Sequence, residues 1–138
     1  MGEISTHWPV LVRLEARAGE LDDDGRLTDA AIERLFAEAR AAYFDKCTTV
    51  DASALDLLRT TVRVGPAAVG PSGVTVSVGV LEVFPDTFTM NARLRPIDDT
   101  GGEGSAATAL CELSPGGEVT TAMRDEFVKL AQGARHLH

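Results

Sequence analysis

The chain has 138 residues, enough for one domain with a core of its own. Its hydrophobic fraction of 44% and charged fraction of 25% are those of an ordinary globular protein. With 13 Lys and Arg against 21 Asp and Glu the net charge is −8, which excludes nucleic acid or an anionic membrane as the main partner, since both need a basic footprint. A small anion held by a few local arginines is still allowed. Cys47 and Cys111 lie far apart and away from any metal-ligand spacing, so neither a disulfide framework nor a metal site is expected. The opening MGEISTHWPV has no basic and apolar signal-peptide pattern, and no apolar run approaches the ~18 residues of a membrane span. A reducing cytoplasm is the expected compartment.

From His7 to Arg17 apolar and polar residues alternate, with Trp8, Val10, Val12, Leu14 and Ala16 on one side, which is strand periodicity. Ala18 to Thr28 reads as a loop punctuated by Gly19 and Gly25. Thr28 is a helix cap and Asp29 puts negative charge in the first turn, where the helix dipole favours it. Ile32, Leu35, Phe36, Ala39 and Tyr43 then recur at three- and four-residue steps, so the pattern predicts one amphipathic helix over Asp29 to Asp45. Four strand-like runs follow. Leu58, Thr60, Val62 and Val64 alternate with Arg59, Thr61 and Arg63; Val74 to Val80 carry a possible bulge at Gly79; Phe88 to Leu94 alternate with Asn91, Arg93 and Arg95; Ser105 to Leu113 make the last. The connections GPAAVGPSG and DDTGGEG are turn-rich, and Met123, Phe127 and Leu130 mark a terminal helix over Ala122 to Ala131. Short connections favour antiparallel neighbours. The arrangement expected is a single α+β domain over residues 1–138, a five-stranded antiparallel sheet wrapped around one central helix.

At Asp22-x-x-Gly25-Arg26-Leu27-Thr28-Asp29-Ala30 and Glu38-Ala39-Arg40 the chain resembles the 4-hydroxybenzoyl-CoA-thioesterase-like hotdog family. Pro66-Ala67-x-x-Gly70 resembles the family's turn before its third strand, and the strand order matches over nearly the whole chain. Arg26 stands where a His is usual, Thr28 and Asp29 where two Asn are usual, and Ile32 where Tyr is frequent. The resemblance implies a homodimer or homotetramer that binds acyl-CoA or acyl-carrier-protein thioesters at the subunit interface, without a cofactor.

Thioester hydrolysis needs a carboxylate to attack the carbonyl or to activate water, and donors for the oxyanion. The resemblance places Asp22 in the catalytic position by its spacing to Gly25, and the helix N-terminus around Asp29 would offer backbone N–H groups. The alternative is a merely solvated acidic loop, Asp22 to Asp24. Glu38 is the second candidate, from a branch that carries its carboxylate on the helix, although its spacing to Arg34 also fits a surface ion pair. Arg59, Arg63, Arg93 and Arg95 share outward strand faces and are candidates for the CoA phosphates, or for solvated charges on an acidic protein. Glu20-x-Asp22-x-Asp24-Gly25 imitates the start of a calcium loop, but position twelve is Ala31 and a strand precedes it. His7, His136 and His138 sit at the chain ends, against the dehydratase branch of the fold. A non-catalytic module that binds an acyl thioester or serves assembly is the other functional class.

Overall fold

Thr28 opens the central helix by accepting the Ala31 N–H on its hydroxyl at 3.2 Å, in extended backbone conformation with Asp29 in the first turn. Helix α1 then runs Asp29–Asp45, the span the sequence predicts, and buries Ile32, Leu35, Phe36, Ala39, Tyr43 and Phe44. The computed structural model describes residues 2–3, 10–65, 73–97 and 106–136. The strands are β1 (Gly2–Glu3), β2 (Val10–Leu14), β3 (Asp56–Val64), β4 (Val74–Val83), β5 (Phe88–Pro96) and β6 (Ala107–Ser114). All pair antiparallel in the order β1-β4-β5-β6-β3, with β2 beside β1 on the same flank of β4. The five expected strands are thus joined by a two-residue sixth.

Alternation sorts the side chains to two faces. Val74, Val76, Val78, Phe88, Met90, Leu94, Ala107 and Cys111 are buried beneath α1. After Val80 the parity changes, because Leu81 has no opposite number and Glu82 pairs with Thr89. This bulge lets Val80 and Val83 both enter the core. The sequence puts the bulge at Gly79, but Gly79 pairs in register with Asn91. A second slip between Leu57 and Arg59 makes Leu57, not Leu58, the partner of the buried Leu113.

The first strand stops at Leu14 rather than reaching Arg17, since the chain turns where the Glu20 N–H donates to the Arg17 carbonyl at 3.0 Å. His7 and Trp8, the Pro66–Gly70 turn, and the loop from Asp98 to Gly104 lie outside the described residues. Helix α2 spans Thr121–His136, longer than predicted at both ends. It delivers Phe127 into an aromatic cluster with Phe88 (centroids 5.0 Å apart) and Tyr43 (6.2 Å). Such pairs contribute about 0.5–1.5 kcal/mol each beyond their burial.

Candidate active site

The acidic loop is a tight hairpin. Leu21 bridges Leu27, the Gly25 N–H donates to the Asp22 carbonyl at 3.0 Å, and the Asp22 N–H donates to the Arg26 carbonyl at 2.7 Å. Gly25 has φ of 76°, the left-handed residue that this three-residue turn requires. Asp22 fixes the turn with one carboxylate oxygen: Oδ1 accepts the N–H groups of Asp24 and Arg26, each at 2.9 Å. No hydrogen bond among the described residues goes to Oδ2, and the side chain is exposed. Asp23 and Asp24 are exposed as well. The Thr28 N–H, bonded to the Glu20 carbonyl at 2.9 Å, ties the hairpin to the start of α1.

Glu20 belongs to a network that sequence spacing does not suggest. Arg34 grips its carboxylate at two points, Nε to Oε2 at 2.6 Å and Nη2 to Oε1 at 2.7 Å, and Nη2 also donates to the Glu15 carbonyl at 2.9 Å. The Arg34 hydrogen bond, with help from the Arg17 N–H, lowers the Glu20 carboxyl to a pKa of about 2. The remaining Arg34 nitrogen, Nη1, takes Glu38 Oε2. The i,i+4 pair allowed for Glu38 is therefore present, and Glu38 stands on the Arg34 side of the helix.

Beside the helix lies a groove. Its walls are the exposed flank of α1 and the inward face of edge strand β3, which the helix leaves partly uncovered. One half, of about 250 Å³, is lined by Asp29, Ile32, Glu33, Val62 and Val64. The other, of about 300 Å³, is lined by Glu33, Phe36, Ala37, Arg40, Leu57, Thr60 and Val62. The shared Glu33 and Val62 join the two halves. Arg40 also approaches the thiol of Cys111; burial pushes that thiol's pKa up and the guanidinium pulls it back. Sequence reading misses Glu33 and Arg40 as groove residues, because the apolar stripe it follows, Ile32, Leu35, Phe36, Ala39 and Tyr43, includes neither. Their adjacency to Ile32 and Phe36, at the stripe's margin, is the signal.

The predicted site residues are not all brought together. Gly25 and Asp22 share the hairpin that leads into α1, Asp29 begins the groove, and Glu38 is held by Arg34 away from its lining. The four arginines are on the opposite, outer face of the sheet. Arg63 and Arg93 flank Thr108 in one cross-strand row, Arg95 pairs with Thr75, and Arg59 faces Glu112. Among the described residues no group of three or more His, Cys, Asp and Glu is arranged to hold a metal ion.

No family model matches the sequence, and no relative is found among curated proteins. The likeness is in the fold. A thioesterase from Thermus thermophilus, in complex with coenzyme A and zinc, superimposes with a TM-score of 0.74 at 22% identity, over 93% of this chain and 98% of its own. The probable thioesterase YbaW of Escherichia coli gives a TM-score of 0.66 at 13% identity, over 88% and 98%. A mutant 4-hydroxybenzoyl CoA thioesterase complexed with 4-hydroxybenzoyl CoA gives 0.66 at 14% identity, over 86% and 97%. The antiparallel sheet order, helix α1 packed against the sheet and these superpositions together establish that this chain has the hotdog fold.

Proposed function

We propose that this protein is a thioesterase that hydrolyses an acyl-CoA or acyl-carrier-protein thioester to the free acid and the thiol, with Asp22 as general base or nucleophile. One observation carries the reading: the turn fixes Asp22 through Oδ1 and leaves Oδ2 exposed at the end of the molecule where α1 begins. A carboxylate so held is oriented without being consumed by a partner, as an acid–base group must be. Glu38 is the weaker candidate, since it would have to leave Arg34 to reach a water. As base, Asp22 takes a proton from water, the oxygen adds to the carbonyl carbon, the C–S bond breaks, and the thiolate leaves to be protonated. The N–H groups of Asp29 and Ala30, ahead of the first helical bonds, are the candidate oxyanion donors.

The assembly is a homodimer or homotetramer. Strand β3 ends the sheet with Leu57, Leu58 and Val64 at least half exposed, and an open apolar edge favours a second copy. Arg59, Arg63, Arg93 and Arg95, on the outer face of the sheet, are the candidates to meet the nucleotide phosphates in this reading. Both cysteines are free thiols, which supports a reducing compartment such as the cytoplasm.

The second reading, a binding module without turnover, is favoured by Asp29 and Glu33, whose charges line the groove where an oxyanion would develop. A panel of acyl-CoAs assayed for released thiol separates the two. Thiol release that depends on Asp22 supports the enzyme; tight binding with no release supports the module.

A further inference from the structure

Arg40 differs from the other cation on α1. Arg34 engages two carboxylates, yet among the described residues the ion pairs are those of Arg34 and none includes Arg40. Arg40 is nevertheless half-buried, at the end of a groove walled by Phe36, Ala37, Leu57 and Val62. Its polar neighbours there, the thiol of Cys111 and Thr60, are no counter-ions, and Glu33, exposed two helical turns back in the same lining, makes no ion pair with it. A partly desolvated guanidinium is costly without an anion, and this chain has eight more acids than bases from which a partner could have been drawn. We propose that Arg40 is a specificity subsite for the far end of the acyl chain, and that the preferred thioesters carry a terminal carboxylate.

This rests on the thioesterase reading, which puts the thioester at the helix N-terminus beside the Asp22 hairpin. From Asp29 to Arg40 the helix rises about 16 Å at 1.5 Å per residue. The arginine side chain leans back toward the N-terminus, which leaves about 10 Å of mostly apolar groove between the two ends. That length suits a medium straight chain. Methylenes match Ile32, Phe36 and Val62, and the planar guanidinium takes a carboxylate at two points. Solvated nucleotide phosphates do not match these walls.

The test is a matched pair, suberoyl-CoA and octanoyl-CoA, equal in length and differing in the terminal group. Wild type should favour suberoyl-CoA in kcat/KM, and Arg40→Gln should lower the suberoyl-to-octanoyl ratio by about 10–100-fold, the scale of a lost charge-assisted contact. Arg40→Lys should restore part of the ratio. A wild-type preference for octanoyl-CoA, or a ratio that Arg40→Gln leaves unchanged, overturns the proposal while thioesterase activity stands. So does loss of assembly in Arg40→Gln by light scattering, which would make the arginine an interface residue. If neither thioester is cleaved, the thioesterase reading fails by itself. The same pair titrated by calorimetry then decides the subsite: tighter suberoyl-CoA binding that Arg40→Gln abolishes supports it, and equal affinities overturn it.

Discussion

Arg34 and Glu20 form a two-point ion pair, 2.6 Å from Nε to Oε2 and 2.7 Å from Nη2 to Oε1, that fastens the acidic turn to the second turn of α1. The geometry is that of a planar guanidinium meeting a carboxylate fork. It holds in place the segment that carries Asp22, so the orientation of the candidate base depends on a pair fourteen residues apart in sequence.

The pair has a pH signature. The Arg34 hydrogen bond lowers the Glu20 carboxyl from 4.5 to about 2. With the folded value depressed, the stabilisation is complete above about 4.5 and is lost as pH falls through about 2. Glu20→Gln should therefore melt below wild type at neutral pH, and the gap should close across that acid window. Melting temperatures of both proteins against pH check this; a gap that stays constant into acid means that Glu20 titrates alike folded and unfolded.

What the sequence makes legible follows from range. The span of α1, its Thr28 cap and the alternating strands are local patterns, and residues three, four or two apart record them. The bulge at Leu81 is not legible: a glycine marks a plausible bend, but the extra residue is set by which valines reach the core. The site divides in the same way. Gly25 is visible as the punctuation of a loop, and Asp22 through the family resemblance by its spacing to that glycine, and the structure puts both in one tight turn. The Glu20–Arg34 pair depends on how the acidic hairpin folds back on α1, and the Arg40 end of the groove on how β3 lies against it, neither of which spacing within one element encodes.

Glu126 fastens the other end of the core. Its carboxylate accepts the N–H and hydroxyl of Thr48 at 2.8 and 3.0 Å, and those of Thr49 at 2.9 and 2.5 Å. Partial burial raises its pKa, but these hydrogen bonds prevail and bring it down to about 2. Glu126→Gln turns an amide N–H toward donors and should cost about 1–2 kcal/mol. Chemical denaturation gives the value. The α2 amides around Phe127 should lose hydrogen-exchange protection with it, and unchanged protection would count against the clamp.

Strand β3 predicts the assembly. Leu58 is 53% exposed at the open edge of the sheet. Light scattering should give at least twice the 14.6 kDa chain mass, and Leu58→Lys, a charge placed on an edge that would be paired, should shift it toward the monomer. A wild-type monomer at micromolar concentration would reject the edge as the interface.

Asp22 carries the last prediction. Asn can accept the Asp24 and Arg26 N–H groups as Asp does, so Asp22→Asn keeps the turn and removes the charge. If Asp22 is base or nucleophile, turnover should fall by ~10²-fold or more while substrate affinity changes little. Asp23→Asn and Asp24→Asn should stay near wild type, because both are exposed and neither carboxylate closes the turn. Asp22→Ala should do more harm than Asp22→Asn in stability, since it strips two backbone N–H groups of their acceptor. Glu38→Gln separates the two possible carboxylates: it breaks the contact with Arg34 and should lower stability slightly, by the ~0.3–0.5 kcal/mol of a helical surface pair, with thiol release largely kept. A large loss of thiol release in Glu38→Gln with Asp22→Asn nearly silent would move the chemistry onto the helix. Silence in all of these variants, with thiol still released by wild type, would remove both carboxylates from the reaction.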